Sequence, residues 1–125
     1  MSERTKPEVD FPEGEPPTDL VITDVVVGDG AEATAGKTVS AHYVGVAFST
    51  GEEFDSSWNR GNPLEFQLGA GQVIAGWDQG VQGMKVGGRR ELTIPSHLAY
   101  GERGAGGGRI APGETLIFVC DLVAV

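Results

Sequence analysis

A single cysteine, Cys120, excludes an internal disulfide, and with only two histidines the chain is poorly equipped for a structural zinc site. Basic residues are scarce: nine lysines and arginines face eighteen acidic residues, for a formal net charge of -9, and none of the nine form a cluster. A nucleic-acid surface needs a positive patch, so nucleic acid is excluded as a partner, and an anionic membrane surface with it. The acid excess reads as a solubilising surface. No long apolar run is present, so nothing is expected to span a bilayer. The opening Met1-Ser2-Glu3-Arg4-Thr5-Lys6 has no hydrophobic stretch behind it and does not read as a secretory signal. A cytoplasmic protein is expected, and a monomer by default. Neither GxxxxGK[ST] nor a GxGxxG opening a helix occurs. His42 and His97 are isolated, neither has a nearby cysteine, and a triad around either would need a serine that the sequence does not single out; spacing alone leaves a glycosidase-style pair of carboxylates open.

What is present fits one domain, since 125 residues bury an adequate core without staples. Residues 1–18 carry five acidic and two basic side chains and Pro7, Pro12, Pro16 and Pro17. They read as a disordered acidic tail, with docking of Val9 and Phe11 as the lesser alternative. Residues 19–125 form the domain.

Within it, one stretch has helical spacing: Val73 to Met84, with Ile74, Trp77, Val81 and Met84 on one face. Gly76 and Gly80 lie inside it, so packing must hold it, with Trp77 as the anchor. The flanks read as strands. Leu20 to Val27 is a β-branched run in which Leu20 and Ile22 are expected to face the core, ended by Gly28-Asp29-Gly30. Lys37 to Phe48 places Ala41 and Tyr43 on one face and His42 on the other, with Gly45 marking a bend or bulge. Ser49 to Glu52 connects a hairpin. Asp55, Ser56 and Ser57 break the strand pattern after Phe54, and Trp58 to Pro63 reads as an irregular loop. Leu64 to Leu68 alternates cleanly, and Arg89 to Ile94 is a strand with Leu92 and Ile94 inward. Ser96 to Gly113 is a long glycine-rich excursion. In the last strand, Glu114 to Val125, Leu116, Phe118, Cys120 and Leu122 share one face, and Ile117, Val119 and Asp121 the other. The expected fold is α+β: a curved antiparallel sheet of about five strands wrapped around one short helix.

The aromatic residues converge on that helix. Tyr43 and Phe118 point inward from strands, Trp77 faces them, and Phe54, Phe66 and Tyr100 are candidates to join. Trp77 alone would read as core filler, and Phe66 fits a core or a pocket equally. Asp55 and Tyr100 carry polar groups that need partners if buried.

These residues carry a resemblance. Ala41-His42-Tyr43-Val44-Gly45, Phe54-Asp55-Ser56-Ser57, Pro63-Leu64-Glu65-Phe66, Gly71 to Gly80, Met84 to Arg89, Leu92-Thr93-Ile94-Pro95, Ala99-Tyr100-Gly101 and Thr115 to Phe118 follow one another with family-like spacing. The chain resembles the FKBP family of macrolide-binding peptidyl-prolyl cis-trans isomerases, the immunophilins, from about Leu20 to its end. The resemblance implies an FKBP-like half-barrel and a rotamase that turns X-Pro bonds during protein folding without covalent chemistry, cofactor or metal. Its partners would be proline-containing peptides, flexible protein segments and macrolide inhibitors. Asp55, Tyr100, Tyr43 and Trp77 would be the catalytic group. Tyr43, Phe54, Phe66 and Phe118 would form aromatic walls, and Leu64 a softer wall where many members have an aromatic residue. Trp77 would floor the proline ring, Val73 and Ile74 would line the entrance, and the Ile74 N–H would hold a carbonyl. Asp55 would be held by Tyr43 and Arg60, Tyr100 would donate its hydroxyl, and Ile110 would pack over the proline. Arg109 takes a place that is often apolar, and the loop from Gly101 to Arg109 is one residue longer than in short members. A non-catalytic module that captures proline loops is the alternative; a lipid- or metabolite-binding barrel is the third reading, and predicts a sealed cavity without Asp55 at its edge.

Overall fold

The computed structural model describes residues 14–101, 104, 110 and 112–125. Val9, Phe11 and most of the expected tail, together with Gly106 to Gly108 and Arg109 of the long excursion, lie outside the described residues.

The apolar runs form one antiparallel sheet of six strands: β1 (Val21–Val26), β2 (Thr38–Ala47), β3 (Glu53–Ser56), β4 (Leu64–Gln67), β5 (Arg89–Ile94) and β6 (Leu116–Ala124). The spatial order is β1-β5-β6-β2-β3, and β4 also pairs with β2. The long β2 thus serves two partners along one edge: Thr38–Ala41 pair with β4, and Val44–Val46 with β3. A one-turn helix, α1 (Ser57–Arg60), follows β3, and α2 (Ala75–Gly80) lies against the sheet.

The core collects the inward face of each strand around α2: Val39, Tyr43, Phe66, Leu92, Ile94, Leu116, Phe118 and Leu122 with Trp77, Val81 and Met84. The helix is shorter than the spacing over Val73 to Met84 suggests, because Val81 caps it and Met84 N–H turns back to Val81. Its glycines have a packing reason. A Cβ on Gly76 would sit 2.5 Å from Ile94 Cγ2, and one on Gly80 2.7 Å from Leu92 Cδ2. Spaced by four, the two glycines fall on one face of α2 and let its backbone rest directly on β5.

Three expectations change. β3 is a sixth strand where polar residues hid the pattern. The segment after it is not a loop throughout, since Ser57–Arg60 make a helical turn closed by Gly61, which sits at φ 82°. Third, Ile22 does not enter the core: it is 44% exposed, and every residue of β1 is exposed. The reason is that among the described residues β1 is an edge strand paired with β5 alone, and the six-residue α2 is too short to cover it. Leu20, just before it, is partly buried against the core.

The outer face of the sheet carries a second small cluster, Val44, Val46 and Ile117, covered by Phe48 and Trp58. This explains why β6 is apolar on both faces. Gly14 and Pro16, at the end of the expected tail, border a cleft with Phe48, Ser49 and Pro112 to Thr115.

Candidate active site

The site is built on a bulge. In the β2–β3 pair, Gly45 faces Asp55 and Val46 faces Glu53, which leaves Phe54 as an extra residue. A bulge of this kind turns two successive side chains to one side of the sheet. Phe54 and Asp55 therefore both reach the concave face, which strict alternation would forbid. Gly45 makes room for this, since a Cβ there would lie 2.7 Å from both Phe54 Cζ and Phe118 Cε1.

Asp55 is gripped on both oxygens. The Tyr43 hydroxyl donates to Oδ2 at 2.5 Å; Arg60 Nη1 and the Ser56 N–H donate to Oδ1 at 2.6 and 2.8 Å. Arg60 Nη2 also donates to Tyr43 Oη at 2.7 Å, closing a triangle. Burial pushes the Asp55 carboxyl up, but the Tyr43 hydrogen bond and the Arg60 hydrogen bond and charge outweigh it, so the carboxyl is held below its ordinary range. Burial and the Asp55 bond push the Tyr43 phenol up, and burial and the Asp55 charge do the same for Tyr100. At neutral pH the group is a carboxylate flanked by two protonated phenols.

The indole of Trp77 is held edge-on by three rings: Tyr43 at 5.0 Å, Phe118 at 5.3 Å and Phe66 at 5.6 Å between centroids. Edge-to-face contacts of this kind fix a ring's plane. Above it opens a cleft of about 390 Å³. Tyr43, Phe54, Asp55, Leu64, Trp77 and Phe118 line it, and Gln72, Val73, Ile74 and Tyr100 form the rest. Trp77 is only 3% exposed yet forms part of this lining.

Two further donors stand at the cleft. The Ile74 N–H and the Tyr100 hydroxyl have no hydrogen-bond partner among the described residues. Ile74 O accepts from Trp77 N and Asp78 N, so the start of α2 fixes the Ile74 peptide in place.

The remaining expected residues stand elsewhere. Phe66 is buried and braces the indole without lining the cleft. Arg60 is outside the lining and reaches it through Asp55 and Tyr43. Ile110 is buried in the core cluster and does not line the described cleft. No three His, Cys, Asp or Glu side chains gather as a metal site among the described residues. Two contributors lacked any local signal. Gln72 lines the cleft, although nothing but its place beside Val73 and Ile74 hinted at that. Trp58 stacks on His42 across the outer face (4.2 Å, 16° between planes), and thereby anchors the turn that carries Arg60.

Comparison with known proteins decides the family. A model of the FKBP-type peptidyl-prolyl cis-trans isomerases matches residues 30–123. The chain belongs to this FKBP family. Among the similar relatives, an FK506-binding protein of Streptomyces anulatus is 83% identical over 120 residues, covering 96% of this chain and 97% of the relative. A probable FK506-binding protein of Corynebacterium glutamicum is 55% identical over 119 residues, covering 95% and 98%. The crystal structure of AtFKBP13 superposes with a TM-score of 0.78 at 47% identity, over 87% of this chain and 94% of that one. The expected fold and the peptidyl-prolyl isomerase function both hold for this FKBP domain.

Proposed function

We propose that the X-Pro bond turns in the cleft over Trp77, gripped by the residues around it and with no covalent intermediate. The observation that carries this is the pair of donors without a partner among the described residues, Ile74 N–H and Tyr100 hydroxyl, on an otherwise mostly apolar cleft floored by an indole. Amide resonance sets the uncatalysed barrier at about 18–20 kcal/mol. At the twisted transition state the nitrogen loses conjugation and the amide loses charge separation. Apolar walls therefore disfavour the planar, polar ground state more than the twisted one. The proline ring stacks on Trp77 between Tyr43 and Phe118. Ile74 N–H takes the carbonyl of the proline itself, and Tyr100 donates to a backbone carbonyl on the other side. Fixing both flanks spends binding on the twisted geometry alone. Asp55, ionised and immobilised by Tyr43 and Arg60, orients the rotating amide through its field and abstracts no proton. Phe66 and Ile110 act from behind the lining.

Purified protein should accelerate cis-to-trans exchange of short peptides with an apolar residue before proline, and a macrolide of the FK506 class should block it. Tyr100→Phe should lower kcat/KM several-fold with little change in melting temperature; an unchanged rate would remove the hydroxyl from the mechanism. We further propose that the domain spans residues 19–125, acts as a monomer on flexible proline-containing segments of folding proteins, and resides in the cytoplasm. The acidic composition and lone, buried Cys120 support that location. No helix among the described residues is long and apolar enough to cross a membrane. Sedimentation and cell fractionation test these points.

A further inference from the structure

Gln72 stands on the lip of the cleft, two residues before Ile74. The link that carries it is braced at both ends. Asp78 of α2 accepts from Gly69 N–H at 2.9 Å and from Gly71 N–H at 3.0 Å. The Gln67 N–H, at the end of β4, donates to Gln72 Oε1 at 2.8 Å. A backbone N–H can only donate, so this bond decides which end of the side-chain amide is which. The oxygen is tied back to β4 and Nε2 is left over. Nε2 has no partner among the described residues. The lip thus offers a third donor, two residues before Ile74.

We propose that Gln72 is a specificity-determining residue that reads the backbone beyond the proline, donating Nε2–H to the carbonyl of the second residue after it. The inference rests on the proposed binding of the proline carbonyl by Ile74 N–H. From that carbonyl an extended substrate advances about 3.3 Å per residue, and its successive carbonyls point to opposite sides. The carbonyl of the first residue after proline points away from the lip. That of the second points back towards it, about 7 Å further on. Residue 72 precedes residue 74 by two positions, which puts their Cα atoms at most about 7 Å apart. The Gln72 side chain, rooted within that distance of Ile74, therefore starts within reach of the second carbonyl.

The test pairs two peptides with two variants. One peptide is acyl-Ala-Leu-Pro-Phe-Ala N-methylamide; the other, acyl-Ala-Leu-Pro-Phe ethylamide, lacks the carbonyl of the second residue after proline. Exchange is measured by NMR. The wild type should favour the first by about fivefold in kcat/KM, the effect of one neutral hydrogen bond, through KM with kcat unchanged. Gln72→Glu keeps an oxygen for Gln67 N–H but offers no donor, and should erase or reverse the preference. Gln72→Lys gives up the bond to Gln67 but keeps a donor, and should retain it. A merely structural role predicts the opposite ranking, because only the glutamate preserves the brace. Equal rates on both peptides with the wild type, or a preference that survives in Gln72→Glu, would overturn the assignment while leaving the isomerase reading intact. Acceleration of neither peptide would remove both.

Discussion

Replacing Gly76 by alanine sets two effects of opposite sign against each other. In an isolated helix the change is stabilising by about 1 kcal/mol, because glycine loses more backbone freedom than alanine. Here the added methyl would meet Ile94 Cγ2 at 2.5 Å, Cδ1 at 2.7 Å and Cγ1 at 2.9 Å. Ile94 is fully buried, and its two γ carbons branch from Cβ, so no rotation clears both. Either α2 lifts from β5 or the isoleucine is forced off its rotamer. Overpacking of this severity costs about 3 kcal/mol, the upper end of the usual range. The net expectation is a loss of about 2 kcal/mol in urea unfolding, with a fall in melting temperature of about 8 °C for a chain of this size. Trp77 is the next residue, so lifting α2 also disturbs the cleft floor and should raise KM. Combining Gly76→Ala with Ile94→Ala should cost less than the sum of the single changes, since the second removes the atoms that the new methyl would meet. A Gly76→Ala protein as stable as wild type, or additive behaviour in the double variant, would refute the packing argument and return the glycine to a purely local role.

The Asp55 carboxyl, held below its ordinary value, binds fewer protons in the folded state than in the unfolded chain. Its contribution is full above the unfolded value of about 3.9 and is lost as pH falls through the lowered folded value. Urea midpoints should therefore drop less between pH 5 and pH 3 in Asp55→Asn than in wild type, and equal drops would contradict this. Trp58 Nε1 is buried without a hydrogen-bond partner among the described residues. Trp58→Phe should thus be nearly neutral, whereas Trp58→Ala uncovers Val44, Val46 and Ile117 and should cost about 2 kcal/mol, less than a fully buried tryptophan. Chemical denaturation of the two variants separates packing from hydrogen bonding. Burial, with the Asp121 charge beside it, pushes the Cys120 thiol far up. It should resist a thiol-specific colour reagent until the fold opens, so modification should track global unfolding; fast labelling under native conditions would be inconsistent with this burial.

Faces of strands were readable from the chain alone. Phe66 and Leu68 alternate inward, and Leu116, Phe118, Cys120 and Leu122 enter the core as their spacing requires, because the side-chain period of a strand is local geometry. Trp77 as the anchor of a short helix followed for the same reason. What could not be read depends on which segment lies opposite which. Phe54 and Asp55 share a face only because their strand bulges against Gly45. Gly76 and Gly80, weak points in an isolated helix, become the surface on which α2 meets Ile94 and Leu92. Ile22 has the pattern of a core residue but stands on an edge strand that no helix among the described residues covers. Gln72 acquires an orientation from Gln67 N–H, five residues away, through a loop whose path no periodicity describes. Local chemistry chose the elements and their faces; pairing register and close approach between distant segments decided which groups meet in the cleft.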